Sequence, residues 1–234
     1  MAIDRARLYD ILYRAAKDYE TEAAKLEAVV RARRATAATL LDVACGTGEH
    51  ARHLSRRGFR VDGVDKQRSH VALARRKNPA GSFHVGDMRD FDLGRQYDVV
   101  VCLFGSIGYA RDRAGLGRAV RAMARHVARE GLLLVEPWFE PGQLQDGRVM
   151  TLTAEQDGVT ISRMSHLEIE GRVSRLRFEY LIGDATGLRR SREHHELGLF
   201  TRTEMETAFQ AAGLRVELDP EGLASRALYV ASVG

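Results

Sequence analysis

Leu40-Leu41-Asp42-Val43-Ala44-Cys45-Gly46-Thr47-Gly48-Glu49 is the stretch that decides the fold. A short apolar run closes on Asp42, a turn with two glycines follows, and a segment of helical pattern opens at Glu49. That is a strand, a tight loop and a helix start. Glycine lets the backbone pass close to a ligand where a Cβ would collide. The first helical turn offers free N–H groups to a polar or anionic group. A dinucleotide loop would read G-x-G-x-x-G. Here the line is Asp42-x-x-x-Gly46-x-Gly48, with an acid ahead of the glycines and no third glycine at the helix start. An acid there repels a pyrophosphate and suits an ammonium group, directly or through water.

Downstream, strands and helices alternate. Residues 59–65 read as a second strand ending in Asp65, 19 residues after Gly46. In a βαβ unit that spacing brings a carboxylate to ribose hydroxyls, and a carboxylate accepts from two vicinal hydroxyls. The other reading of Asp65 is a cap on the helix that starts near Gln67. That helix runs to Asn78-Pro79, and Ser82-Phe83-His84-Val85 is a third strand. Gly86-Asp87-Met88-Arg89 follows it, where Asp87 is placed to accept from an exocyclic amine and Met88 to cover the ring, unless the segment is a plain polar turn. Tyr97–Leu103 is almost continuously apolar, as expected of a strand buried on both faces. It opens into Phe104-Gly105-Ser106-Ile107-Gly108-Tyr109. Ligands bind beyond the carboxyl ends of such strands, so this loop is the expected floor between cofactor and substrate. A helix over 113–127 and a strand over 132–136 continue the alternation to Glu136-Pro137-Trp138-Phe139.

Upstream, residues 4–33 read as two helices, with Leu8, Ile11 and Leu12, then Ala23, Leu26, Val29 and Val30, at helical spacing. Tyr9, Tyr13 and Tyr19 sit in this segment, as packing residues or, for Tyr9 and Tyr19, as a lid on the cofactor pocket. From about 147 to 199 the chain changes to short alternating strands punctuated by Gly158, Gly171 and Gly187, the pattern of an antiparallel meander. Thr201 caps a helix over 202–212 that ends at Gly213, and strands over 214–218 and 227–233 close the chain.

The 234 residues are 44% hydrophobic and carry a net charge of +4. No apolar run approaches the roughly 18 residues of a membrane span, and the N-terminus has no apolar signal core. Cys45 and Cys102 fall in apolar strand ends, so they are expected reduced and the protein cytoplasmic. The arginines are spread along the chain. No basic and aromatic interleaving supports RNA, and no Asn/Asp-Pro-Pro-Tyr/Phe run for a base's amine follows strand four.

Together, the acid-Gly-x-Gly loop, Asp65, Asp87-Met88 and the terminal strand pair resemble a class I S-adenosylmethionine (SAM)-dependent methyltransferase. Leu41–Gly48, Gly86–Phe91, Ser106-Ile107-Gly108, Val135-Glu136-Pro137-Trp138, Arg163-Met164-Ser165-His166 and Leu199-Phe200-Thr201-Arg202 are similar to the TDP-aminosugar N-methyltransferases of macrolide and related antibiotic pathways, the desosamine- and mycaminose-type enzymes. The likeness runs from about Leu8 to Val230. It departs at Tyr109, where the relatives carry a histidine, and in the tail Ala224–Tyr229.

The resemblance implies an α/β, doubly wound, mostly parallel seven-stranded Rossmann-like sheet with an inserted meander. Residues 1–146 and 200–234 would bind SAM, and 147–199 would cover the substrate. It implies SAM as cofactor, S-adenosylhomocysteine as product, no metal, no nucleic-acid or membrane partner, and a homodimer. The cofactor residues would be Tyr9, Tyr19, Asp42, Ala44, Gly46, Gly48, Asp65, Asp87, Met88 and Leu103. Ser106, Tyr109, Trp138, Arg163, Ser165, His166, His195 and Arg226 would face a TDP-linked amino-deoxysugar, Arg suiting phosphate through its two-pronged donor; the other reading of Arg163 is an ion pair with Glu168 or Glu179. A phenol with pKa near 10 is a poor base at neutral pH. Tyr109 is therefore expected to orient the amine, with water or His166 taking its proton and Glu136 balancing an ammonium. Another small-molecule acceptor, an amino acid or a hydroxyl, stays open.

Overall fold

The computed structural model describes residues 5–223 and 226–233. Two sheets organise them. The larger has seven strands in the order β10-β11-β5-β4-β1-β2-β3. β1 (Thr39–Val43) lies between β2 (Arg60–Asp65) and β4 (Tyr97–Cys102), and β3 (Phe83–Val85) and β5 (Val127–Val135) flank these, all in parallel. β11 (Leu228–Val233) enters antiparallel beside β5, and β10 (Leu214–Asp219) pairs outside it. The strand order reverses between β1 and β4, where an open α/β sheet leaves its ligand crevice.

Alternation along the central strands decides which helices cover each face. Leu41, Val43, Val100, Cys102, Leu133 and Val135 pack on one side with Leu116, Val120 and Met123 of α5 (Arg113–Arg125) and Phe209 of α6 (Arg202–Ala211). Leu40, Val99, Val101 and Leu134 pack on the other with Leu26 and Val30 of α2 (Tyr19–Arg33), Leu54 of α3 (Glu49–Arg56) and Val71 of α4 (Arg68–Lys77). Thr201 begins α6 with a capping box: its hydroxyl accepts from the Glu204 N–H, and the Glu204 carboxylate accepts from the Thr201 N–H.

The second sheet is an antiparallel run of β6 (Val149–Gln156), β7 (Val159–Glu170), β8 (Val173–Asp184) and β9 (Gly187–Gly198). Its strands are longer than the sequence pattern suggested. Arg175, Arg177 and Glu179 alternate with Leu176, Phe178 and Tyr180, so one continuous strand presents a charged outer face and an apolar inner one. Helix α1 (Arg5–Ala16) packs Leu8, Ile11 and Leu12 against Ile161, Phe178 and Ile182 of that inner face. The sequence reading left 106–110 as loop; it forms a short 3-10 helix.

At the loop after β1, Gly48 has φ +77° and begins α3. A Cβ there would lie 2.7 Å from Asn78 Nδ2 and 3.0 Å from Ala74 Cβ. Gly48 therefore lets α3 approach α4, which gives it a helix-packing role. Gly48→Ala should destabilise the fold by about 2 kcal/mol, from left-handed strain plus the clash. A fall in the urea midpoint at unchanged slope would show this; an unchanged midpoint would refute the packing role.

Candidate active site

A cavity of about 490 Å³ opens where the carboxyl ends of β1, β2 and β4 meet the inner face of the antiparallel sheet. Its size falls in the usual range for ligand pockets. Its cofactor-side wall is local in sequence: Ala44, Gly46, Asp65, Asp87 and Met88. Among the described residues, four that are not glycine have positive φ, and three of these line the cavity: Ala44 (59°), Phe104 (58°) and Arg111 (71°). Strain gathered at one site is typical of functional loops. Gly46 (φ 54°) is open on its Cα side, since a Cβ would come no nearer than 3.9 Å to Tyr9 Cε1.

Asp65 is not the cap residue of α4, which is Gln67, but it bonds just ahead of that helix and lines the cavity. Oδ1 accepts from the Gln67 N–H at 2.8 Å, fixing the start of α4. Oδ2 accepts from the Gly46 N–H at 2.9 Å, tying the end of β2 to the glycine turn. A carboxylate has about four acceptor sites, so capacity remains toward the cavity that Asp65 lines. Asp87 is more committed. Oδ1 takes the Arg89 N–H and Nε, and Oδ2 takes Arg89 Nη2 and Lys66 Nζ. The Arg89 guanidinium, opposed by partial burial, holds this carboxyl far below the ordinary carboxylate range. An exocyclic amine reaching Asp87 must share with or displace one of these cations.

Behind the turn lies a small recess bounded by Tyr9, Tyr19, Asp42, Leu103 and His50. Asp42 is 2% exposed, and its Oδ2 finds no hydrogen-bond partner among the described residues. Burial, then the nearby Asp65 charge, push its pKa up to about 8. An unpartnered buried acid in such a recess fits a cationic group. Tyr9 and Tyr19 roof the area, with Tyr9 tilted against Tyr13 at 4.4 Å and Tyr19 edge-on to His50 at 4.8 Å. The roof is latched by buried charge: Asp10 accepts from Thr47 Oγ1 and from Lys77 Nζ, which also donates to Glu49 at 2.7 Å.

The other wall comes from distant segments: Arg5, Tyr13, Ser106, Tyr109, Trp138, Phe178, Glu193, His195 and Arg226. Trp138 is fixed by donating Nε1–H to Ser174 Oγ at 2.9 Å. The Arg226 guanidinium lies over the Phe104 and Trp138 rings, with Nη1 buried and without a partner among the described residues.

Several expected site residues lie elsewhere. His166 alternates with buried Ser165 and Leu167, so it points to the outer face of β7, where its nearest charged partner is Glu168 at 3.5 Å. The assignment of His166 as a proton acceptor or sugar contact is thereby corrected. Ser165 is buried and donates to the Met150 carbonyl. Arg163 forms no pair with Glu168 or Glu179, which engage Arg177 and Arg192. It stacks on Phe178 and donates to the Tyr13 hydroxyl at 2.9 Å, so it stiffens the cavity wall from behind. Glu136 is 2% exposed and accepts from the Phe104 N–H at 2.6 Å, with Arg226 3.7 Å away. It holds the β4 loop in shape rather than meeting an ammonium. The sequence reading passed over Glu193, Tyr180, Phe178 and Arg5. The period-two alternation of β9, which sets Glu193 and His195 on one face, was the signal for the first.

The methyltransferase-domain family matches residues 40–131. Over 98% of its length and 91% of the relative's, the chain is 44% identical to the dTDP-3-amino-3,6-dideoxy-alpha-D-glucopyranose N,N-dimethyltransferase of Streptomyces fradiae. This chain belongs to the nucleotide-aminosugar N-methyltransferase family. The methyltransferase superposes on the crystal structure of Streptomyces venezuelae DesVI with TM-score 0.94 at 38% identity, each chain fully covered. It superposes on SAM-bound CalS10 of Micromonospora echinaspora, an amino pentose methyltransferase involved in calicheamicin biosynthesis, with TM-score 0.87 at 37% identity, covering 100% of this chain and 98% of that one. SAM is the cofactor. It supplies an electrophilic methyl on a sulfonium, and the left-handed turn at Ala44–Gly46, the acceptor Asp65 and the unpartnered Asp42 suit it. Among the described residues no His, Cys, Asp and Glu group is arranged to hold a metal ion.

Because the folded state raises the Asp42 pKa, the carboxyl costs stability increasingly as pH rises from about 4 to about 8, and the cost then levels off. Asp42→Asn should therefore gain in urea midpoint over the wild type across that window, while its SAM affinity falls about tenfold. A pH-independent difference would place the ionisation elsewhere. Asp65→Ala should weaken SAM binding by about 100-fold, since it removes both a ligand acceptor and the clasp on Gly46. Unchanged affinity by calorimetry would remove Asp65 from the site.

Proposed function

We propose that this methyltransferase carries methyl groups from SAM to the amino nitrogen of a dTDP-linked amino-deoxysugar in antibiotic biosynthesis. The observation that supports it most is a cavity that joins the SAM turn to a wall made by Phe178 and Tyr180 of the antiparallel sheet together with Trp138 after β5 and Arg226 before β11. Arg226 and the cavity-edge Arg111 and Arg5 suit the oxygens of a diphosphate. Trp138, Phe178 and Tyr109 suit the faces of sugar and base rings.

In-line displacement at a sulfonium asks the protein mainly for alignment of donor and acceptor. An amine attacks only through a free lone pair, so its proton has to leave before the methyl arrives. Residues 1–146 with 200–234 would make the cofactor half, and 147–199 the substrate half. The enzyme would work in the cytoplasm, in keeping with two free, buried cysteines. A pair of chains joined through the exposed face of the antiparallel sheet would make the functional homodimer.

Labelled SAM should deliver methyl to dTDP-3-amino- or dTDP-4-amino-deoxysugars and leave RNA and free amino acids unlabelled. Transfer to an amino acid in preference to every nucleotide sugar would overturn the assignment.

A further inference from the structure

The sheet insertion brings an imidazole against the one phenol that the β4 loop offers to the cavity. Tyr109 lies on the 3-10 helix after β4 and exposes 43% of its surface, which opens into the cavity. Its hydroxyl is 2.9 Å from His195 Nδ1 on β9. His195 Nε2 faces Glu193 Oε2 at 3.4 Å, and the same oxygen accepts from the Tyr180 hydroxyl at 3.0 Å. Phe178 packs on the imidazole at 4.8 Å. All five side chains line the cavity, 84 to 86 residues apart in sequence where Tyr109 meets the β9 pair.

This arrangement has a direction. A carboxylate accepts only, so the Nε2–H tautomer is the one that satisfies Glu193. Nδ1 is then a lone-pair acceptor, and the Tyr109 O–H must donate to it. The hydroxyl oxygen is left with free lone pairs facing the cavity. The surrounding cavity walls desolvate the Tyr109 hydroxyl, half-open as the ring is, and push the phenol above its ordinary range, so it does not hold a charge itself. Burial would raise Glu193, but the hydrogen bonds from His195 and Tyr180 outweigh it and keep the carboxyl low and anionic. The charged or titratable groups facing the pair are Tyr13 and Arg5 from α1, Tyr180 from β8 and Asp65 from β2.

We propose that Tyr109, His195 and Glu193 form the path by which the substrate amine loses its proton, with His195 the acceptor. This rests on the aminosugar reading above. As the ammonium N–H bond breaks, an O–H bond forms at Tyr109; the original Tyr109 O–H bond breaks as an N–H bond forms at His195 Nδ1. The phenol is neutral before and after, the amine gains its lone pair, and the charge rests on an imidazolium beside Glu193. The imidazolium later returns the proton to water. Glu193 is a positioning residue, since it acts through His195.

The test has one readout that needs no sugar. In enzyme saturated with S-adenosylhomocysteine, nitrogen-15 NMR should show His195 as the Nε2–H tautomer, and Glu193→Gln should shift the Nε2 resonance. Tyr109→Phe should shift the Nδ1 resonance. If neither replacement moves the His195 signals, the path is overturned, whatever the substrate. The second readout is single-turnover methyl transfer to a dTDP-aminosugar across pH 5.5–9. His195→Gln should be slowed about 100-fold at pH 7 and lose the wild-type dependence on one deprotonated group. In His195→Ala, added imidazole should restore part of the rate. A slowed variant that keeps the wild-type pH profile and gains nothing from imidazole would reduce His195 to a packing role and refute the proposal. Wild-type enzyme silent on every dTDP-aminosugar, with the NMR linkage intact, would instead refute the substrate reading, and with it the amine as the proton's source.

Discussion

The hydrogen bond from the Gly46 N–H to Asp65 Oδ2 fixes the geometry on which the cofactor half depends. It joins the ends of neighbouring parallel strands, β1 and β2, through one carboxylate whose other oxygen already starts α4. With that clasp in place the backbone at Ala44 and Gly46 stays left-handed, and the turn remains open on the side facing the cavity. The cost of the non-glycine conformation at Ala44 is offset by a ring of contacts that would otherwise be scattered: Tyr9 above, Asn78 bonding the Gly48 carbonyl below, Cys45 N–H donating to Val64. A strained loop survives only where its surroundings over-determine it, and here they do.

A second constraint is charge. Asp65 stands near enough to raise the energy of the ionised form of Asp42, whose Oδ2 has no partner among the described residues. The burial of Asp42 is unfavourable in the free enzyme and becomes favourable when a cation arrives, so the site's preference for a positively charged ligand group is stored as instability. The α1 latch works the opposite way. Asp10, Glu49 and Lys77 compensate one another in a buried cluster and hold the roof of the site to α3 and α4 without any ligand.

The large sheet was legible in the sequence because its signal is local: apolar runs of strand length, each ending in an acid or a glycine turn at one edge. Asp42, Ala44, Gly46, Asp65, Asp87 and Met88 all follow strand ends in register, and the structure brings them to one wall or its adjoining recess. The substrate wall was less legible for a physical reason. Whether a residue on a long antiparallel strand faces in or out turns on a register of one residue. His166 and His195 look alike in sequence, but His166 shares its face with exposed Met164, and His195 shares its face with Glu193 above the cavity. Glu136 misled differently. It stands at a strand end like Asp42, yet the Phe104 N–H and Arg226 take up its oxygens, so its position gave no access to ligand.

The two walls therefore differ in how they are encoded. The cofactor wall is written within about 45 residues and is tied by hydrogen bonds between adjacent strands. The opposite wall draws on α1, the loops after β4 and β5, the inserted sheet and the segment before β11, and is tied by aromatic and guanidinium contacts: Arg163 on Phe178 and Tyr13, Lys17 on Phe104, Arg226 on Trp138. Such contacts depend on ring placement more than on any single hydrogen bond, so this wall can be recut without disturbing the glycine turn. A change at Tyr109, Trp138 or His195 would alter the cavity offered to an acceptor, while the clasp at Asp65 and the recess at Asp42 would stay as they are. That separation explains physically how one scaffold keeps its methyl source fixed while the amine it serves is free to change.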